Sequence, residues 1–500
     1  APALVPAAAA LALGFWGIRR QDSLWSDEAV TYEVAHRSTS DIARLLAEAD
    51  VVHGLHYFLM HAVFALWEGG TVALRLPSVL AVAATAAGVG LLGRRLASPR
   101  AGLFAGLVLA LLPSLQRYAQ EGRSYALVCA LMTWGTWLLL DALDAGSRKR
   151  RAARGERRSW LGARQFGRRF RWAGYGAVML VACLVHAFAV LGLVAHGVTA
   201  ALSRTGLRPW ATTASVVSAS LAPLALVSAT QSGQVSWIAA PALSDLVDQA
   251  VVSAVGVACA LLLLSGRSGG GTTAAGGVPA LALPLLLLPA GLLLALSPLH
   301  PLYVDRYVLY GSIGLALLTG AALDRALRHV LTRLRARGPL RGPRLPVLVV
   351  AAASALVTLA VLPASRELRT PASRSDDVTA VAEAVREMGA PGDGLVFLPA
   401  RRAWVLATPD GYAELDDVAL ADSPAASGTL FGAELAPAVI RERLTAQRRV
   451  VAVRDVFGEP RDSTGRRDAK EAVLRARFEE CGTRRVTRAQ ITVYARPGHC

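Results

Sequence analysis

The stretch "LWSDEAVTYEVAHRST", residues 24–39, sets two adjacent carboxylates, Asp27 and Glu28, just beyond an apolar run at 2–18 that is long enough to enter a membrane. Trp25 precedes the pair and Tyr32 follows it. Ionisable groups at a bilayer boundary are costly unless paired, wet or functional. The reading of the fold turns on which side of a membrane this pair faces and on how many later runs cross.

The chain has 500 residues, 54% hydrophobic and only 18% charged, an apolar excess over soluble domains. Runs of Ala, Leu, Val and Gly recur at lengths that cross a hydrocarbon core of roughly 30 Å. Eleven spans are predicted, at 2–18, 72–92, 100–116, 124–141, 173–186, 187–203, 211–230, 249–265, 278–297, 307–323 and 345–363. The run 173–203 is too long for one upright helix, and His186 near its middle predicts a short helical pair, with one tilted helix as the alternative.

The net charge of +17 does not indicate nucleic-acid binding, because it is concentrated in short segments between apolar runs with no nucleic-acid module around them. Residues 147–172 hold eleven Arg or Lys against one Glu, and 324–344 form a second basic segment. Such segments stay cytoplasmic and touch anionic lipid. With both inside, Gly93–Arg100 is also inside. The first loop (19–71), the loops 116–123, 231–248 and 298–306, and everything after Pro363 then lie outside. Arg19 and Arg20 oppose the rule and are outnumbered. Within the first loop, "HGLHYFLMHAVFALWEGG" (53–70) is too short and too interrupted by His56 and His61 to span. Leu55, Phe58, Leu59, Ala62, Val63 and Leu66 recur at helical spacing, as expected of a helix in the interface.

Residues 364–500 carry no run of spanning length. A helix from Asp377, a Pro-Gly-Asp-Gly turn, a strand "LVFL", a strand in "RRVVAVRDVF", a helix "AKEAVLRARFEECG" closed by Gly482 and a final strand in "RAQITVYARPG" predict an α/β domain. The expected division is therefore a membrane module, 1–363, and an extracytoplasmic domain, 364–500. Cys129, Cys183 and Cys259 lie in apolar runs and read as small hydrophobes. Cys481 and Cys500 lie in the hydrophilic part, where pairing is one of two open readings. The run 2–18 reads as a retained helix, not a signal peptide.

The outward polar groups are Asp27, Glu28, His53, His56, the segments 116–125 and 234–245, and "HPLYVDRY" at 300–307. A carboxylate pair together with Arg123 and Arg306 has the chemistry to activate a hydroxyl while cations hold a phosphate leaving group. Each feature also has a plainer reading. Ser26-Asp27-Glu28 is good helix-capping sequence. His53 and His56 lack an evident third ligand for zinc and read as wet interfacial histidines. Glu121 and Arg123 make a loop ion pair, and Trp25 and Trp237 read as interface anchors before sugar platforms.

"LWSDEA", "HGLHYFLMHAVFALWEGG", "ALRLPSVLA" (73–81), "GRRL" (93–96) and "YAQEGRSYAL" (118–127) together closely resemble the GT-C-type glycosyltransferases that use polyprenyl-phosphate sugars. That family includes bacterial mannosyltransferases and relatives of the protein O-mannosyltransferases and the lipid A aminoarabinose transferase. The resemblance is strong over 11–140 and weaker at "VSWIAAPALSDL" and "DRYVLY". It implies a mainly α, polytopic GT-C-like bundle and an inverting transfer of mannose or another hexose from a polyprenyl-phosphate sugar at the outer membrane face. By the same resemblance Asp27 is the catalytic base and Glu28 its support, while His53, His56, Glu121, Arg123, Arg306 and Tyr307 are substrate-binding. No metal or other cofactor is expected, and the acceptor (protein, lipid or polysaccharide) is left open. Gly54 and Leu55 replace the two prolines of the family's motif, which loosens the start of that helix. The rival functions are a transporter or flippase of lipid-linked glycans and a non-catalytic scaffold. Internal repeats and charges deep within broken helices, the marks of a transporter, are not evident in the sequence.

Overall fold

The computed structural model describes residues 1–152, 161–204, 206–235, 238–265, 277–336, 359–406, 411–456 and 465–500. The chain divides into two compact units, one formed by 1–16 and 75–365 and the other by 17–74 and 366–500.

The first unit is a helix bundle. Among the described residues, five helical segments are long and apolar enough to cross a membrane: Gly70–Leu96, Tyr125–Asp144, Leu243–Leu264, Val278–Leu296 and Asp305–Arg333. The number is seven if each of two bent pairs is one span, Pro99–Leu111 with Pro113–Ala119 (63°) and Leu207–Ser220 with Ala222–Thr230 (42°). These match seven of the eleven expected spans. The runs expected at 2–18 and 187–203 are the shorter apolar helices Leu4–Phe15 and Ala187–Leu202, and the run at 173–186 is the end of a helix over Leu161–Val185. Most of the expected span 345–363, parts of both basic segments and Trp237 lie outside the described residues. Apolar helices of this number make the chain a multi-pass membrane protein.

Helices approach closely where glycine removes the side chain. A Cβ on Gly320 would stand 2.4 Å from the Ala105 backbone nitrogen, and one on Gly314 would stand 2.3 Å from the Ala282 carbonyl oxygen. Small residues at such contacts are how helices associate without a hydrophobic drive between them. The break expected in 173–203 falls at His186, which is extended (φ −159°, ψ 120°) between Leu161–Val185 and the turn at Ala187–Ala189.

The second unit holds strands β1 (Gly394–Leu398), β2 (Asp416–Asp417), β3 (Leu420–Asp422), β4 (Ala433–Glu434), β5 (Arg449–Asp455), β6 (Glu479–Val486) and β7 (Ala489–Ala495). The main sheet has the order β2-β1-β5-β7-β6, with β1 parallel to β2 and β5 and β7 antiparallel to β5 and β6. The helix expected from Asp377 runs Val378–Met388, and the Asp377 carboxylate accepts from the Ala380 N–H at 3.0 Å. The helix expected to end at Gly482 instead stops at Arg477, and 479–486 is β6. Its Glu- and Arg-rich composition suits a helix. It pairs as an exposed edge strand because the two-residue link to β7 closes a hairpin, with Thr487 in the left-handed region (φ 41°).

The sequence reading assigns the first loop to the membrane module; in the structure it packs with the sheet. Val34, Ile42, Leu45, Tyr57, Met60 and Phe64 from the loop share one buried core with Val381, Phe397, Trp404, Val451 and Ile491. Helical spacing of apolar residues over Ser26–His36, Thr39–Glu48 and Gly54–Leu66 turns one face of each helix into this core. Leu55, Phe58, Leu59 and Leu66 stay exposed, and Leu66 is 89% exposed.

Cys481 and Cys500 form a disulfide, while Cys129, Cys183 and Cys259 are free. Peptide mapping of the unreduced protein is expected to recover the 481–500 link and to find the buried Cys129 and Cys183 alkylated only after unfolding. A free thiol at 481 or 500 contradicts this pairing.

Candidate functional site

The eight residues singled out in the sequence fall into two groups, one in each unit. Asp27, Glu28, His53 and His56 belong to the second unit, and Glu121, Arg123, Arg306 and Tyr307 to the first.

The acidic pair opens the helix Ser26–His36. The turn before it is unusual: Arg20, Gln21 and Asp22 have φ of 47°, 57° and 56°. Left-handed backbone at a residue bearing a Cβ costs roughly 1–2 kcal/mol, so side-chain contacts must hold the turn. The Arg20 guanidinium is fully buried and donates to the fully buried Glu28 carboxylate. Asp22 accepts from the Thr71 hydroxyl at 2.8 Å. Successive helical positions differ by about 100°, so Glu28 turns inward while Asp27 stays half-exposed.

The capping reading of the pair meets a different outcome. Trp25 holds the N-cap position, where no local side chain accepts a hydrogen bond. The Ser26 N–H instead donates to Asp376 Oδ1 at 2.7 Å. Burial is the largest influence on the Asp376 carboxyl and pushes its pKa up; the Ser26 hydrogen bond opposes this, and the Asp27 charge adds to it. Asp376 lies outside the residues that the sequence singles out. Its signal was a second Asp directly before Asp377, which alone suffices to cap the following helix.

His53 bonds through Nδ1 to Asp50 Oδ1 at 2.7 Å, and the Tyr57 hydroxyl donates to the same carboxylate. Asp50 itself is left-handed (φ 61°). The reading of His53 and His56 as wet histidines fails for His56, which is 1% exposed. The helix Gly54–Leu66 draws it inward with Tyr57 and Met60. Trp25 is likewise buried.

In the first unit, Ser78 Oγ donates to the carbonyls of Glu121 (2.6 Å) and Arg123 (3.3 Å), fixing the loop before the helix that begins at Tyr125. Glu121 faces Arg117 at 3.6 Å. Arg306 Nε donates to the Tyr125 hydroxyl at 3.1 Å, and its guanidinium lies 5.8 Å from the Tyr125 ring centroid and 5.7 Å from that of Tyr307. Tyr307 stacks on Phe188 at 5.0 Å and has His186 at 4.9 Å. Ring faces at these distances attract the guanidinium cation. Among the described residues, no group of three His, Cys, Asp or Glu side chains is placed to hold a metal.

Residues 54–153 match the family model described as dolichyl-phosphate-mannose-protein mannosyltransferase. ArnT from Cupriavidus metallidurans, solved in the apo state and bound to undecaprenyl phosphate, resembles the chain with a TM-score of 0.57 at 14% identity, covering 98% of this chain and 97% of that one. The archaeal oligosaccharyltransferase AglB from Archaeoglobus fulgidus has a TM-score of 0.42 at 12% identity, covering 90% of this chain and 69% of that one. No curated protein sequence matches the chain. The chain therefore shares its fold with ArnT, and residues 54–153 carry the likeness to the mannosyltransferase family model.

Removing one partner of a buried ion pair leaves the other charged and poorly solvated. Glu28→Ala is expected to cost about 3–5 kcal/mol, read as a lower unfolding midpoint in detergent. Arg20→Met combined with Glu28→Leu should recover most of the loss, and equal damage in the single and double variants contradicts the pairing.

Proposed function

We propose that the chain moves a hexose, with mannose favoured by the description of the matching family, from a polyprenyl phosphate to an acceptor hydroxyl at the outer face of the membrane. The observation that carries the reading is the division within the acidic pair. Glu28 is fully buried against Arg20, whereas Asp27, next to it in a chain with the ArnT fold, is half-exposed. ArnT, whose fold the chain shares, binds undecaprenyl phosphate, which favours a polyprenyl-phosphate donor here as well.

In this mechanism the acceptor oxygen attacks the anomeric carbon while Asp27 takes its proton. The carbon–oxygen bond to phosphate breaks with inversion, and the bond electrons leave on the lipid phosphate. Arg306, with Tyr307 beside it, stabilises that growing charge. Glu121, Arg123, His53 and His56 serve in binding substrate. Asp50 fixes the His53 ring through Nδ1 and so directs Nε2 away from itself. The Cys481–Cys500 disulfide favours an oxidising, extracytoplasmic setting for the sheet. No metal is required by this route.

Replacing Asp27 by Asn keeps the shape and removes the base. Sugar transfer from a defined polyprenyl-phosphate hexose is expected to fall by about 10²–10⁴-fold, with membrane insertion and unfolding midpoint unchanged. Undiminished transfer rules out the base. Glycan-lipid translocation without any transfer in the wild type favours a flippase.

A further inference from the structure

The helix that carries Asp27 takes its N-terminal hydrogen bond from a residue 350 positions away in sequence. Helices usually find this acceptor in their own N-cap side chain; Trp25 has none to offer. Asp376, 4% exposed, supplies it from the segment that leads into the helix Val378–Met388. Two further bonds tie the same segments: Val378 N–H to the Leu24 carbonyl at 2.8 Å, and Leu24 N–H to Thr379 Oγ1 at 3.1 Å. The N-termini of two helices therefore meet across Leu24 and Asp376. Their partial positive charges add, and four carboxylates, Asp27, Glu28, Asp376 and Asp377, stand in their caps and first turns. A helix start held at three points from outside its own sequence cannot rotate without breaking those bonds.

We propose that Asp376 and Thr379 are positioning residues that set the orientation of Asp27, so that the segment after the membrane bundle is part of the transfer machinery and not an appendage for recruiting acceptor. The inference rests on Asp27 acting as base, and it separates from that reading in its test.

Full-length protein in nanodiscs, with Asp376→Ala, Asp376→Asn and Thr379→Val, is assayed with undecaprenyl-phosphoryl mannose and native membrane acceptors. Asp376→Ala is expected to lower kcat on the order of 10²-fold through misplacement of the base, with the donor KM unchanged. Asp376→Asn retains the Oδ1 acceptor and should stay within about threefold of wild type. Thr379→Val should fall between them. A wild-type kcat in the Ala variant overturns the proposal, as does an Asn variant no better than Ala. Amide exchange over 24–28 gives a readout independent of turnover. It should quicken about fivefold in Asp376→Ala, as expected for a lost cap, and unchanged exchange overturns the clamp. If the wild type transfers no sugar, the assigned function fails while the exchange experiment still decides whether Asp376 holds the helix.

Discussion

A guanidinium removed from water must be met by a carboxylate, and around the acidic pair that requirement falls on Arg20 and Glu28. The two side chains are fully buried. Desolvating them costs several kcal/mol each, which only close, well-oriented pairing offsets. The left-handed turn at Arg20–Asp22 brings the guanidinium back over the first turn of the helix, and its backbone strain persists because the pair over-determines it. Two neighbouring carboxylates thereby meet different surroundings: Glu28 is buried against Arg20 and holds the turn, and Asp27 stays half-exposed. Adjacent acids of this kind are separated by helical geometry and not by residue type.

The second unit extends this constraint. Loop helices and sheet bury one core together, so 17–74 and 366–500 form a single compact unit although residues 75–365 lie between them in sequence. β1 is buried along its length and β5 at every position but Arg449 and Arg454, as expected of central strands covered on both faces. The sheet therefore builds the platform on which the acidic helix stands. Gly392, at φ 82°, sits in the Pro-Gly-Asp-Gly turn between the Val378 helix and β1.

Much of this was legible in the residues themselves. Apolar runs located seven spans as helices or bent pairs, because a lipid-facing helix must be apolar over its length. The break at His186 followed from a run too long for one helix. Composition led astray where tertiary pairing decided the outcome. Glu479–Val486 has the charges of a surface helix but forms an edge strand, and His56 looked wet until the helix turned it into the core. The partnership of Asp376 with Ser26 was invisible, since no local pattern links positions 350 residues apart. Tyr125 and His186 beside Arg306 and Tyr307 escaped for the same reason.

The most direct test concerns the side of the membrane on which the acidic helix lies. A cysteine placed at position 27 can be treated with a membrane-impermeant maleimide in intact cells, with the wild-type chain, whose Cys129 and Cys183 are buried, as background. Labelling before permeabilisation is expected. Labelling only after the membrane is opened would place Asp27 in the cytosol and contradict the proposal that it is the base in an extracytoplasmic sugar transfer.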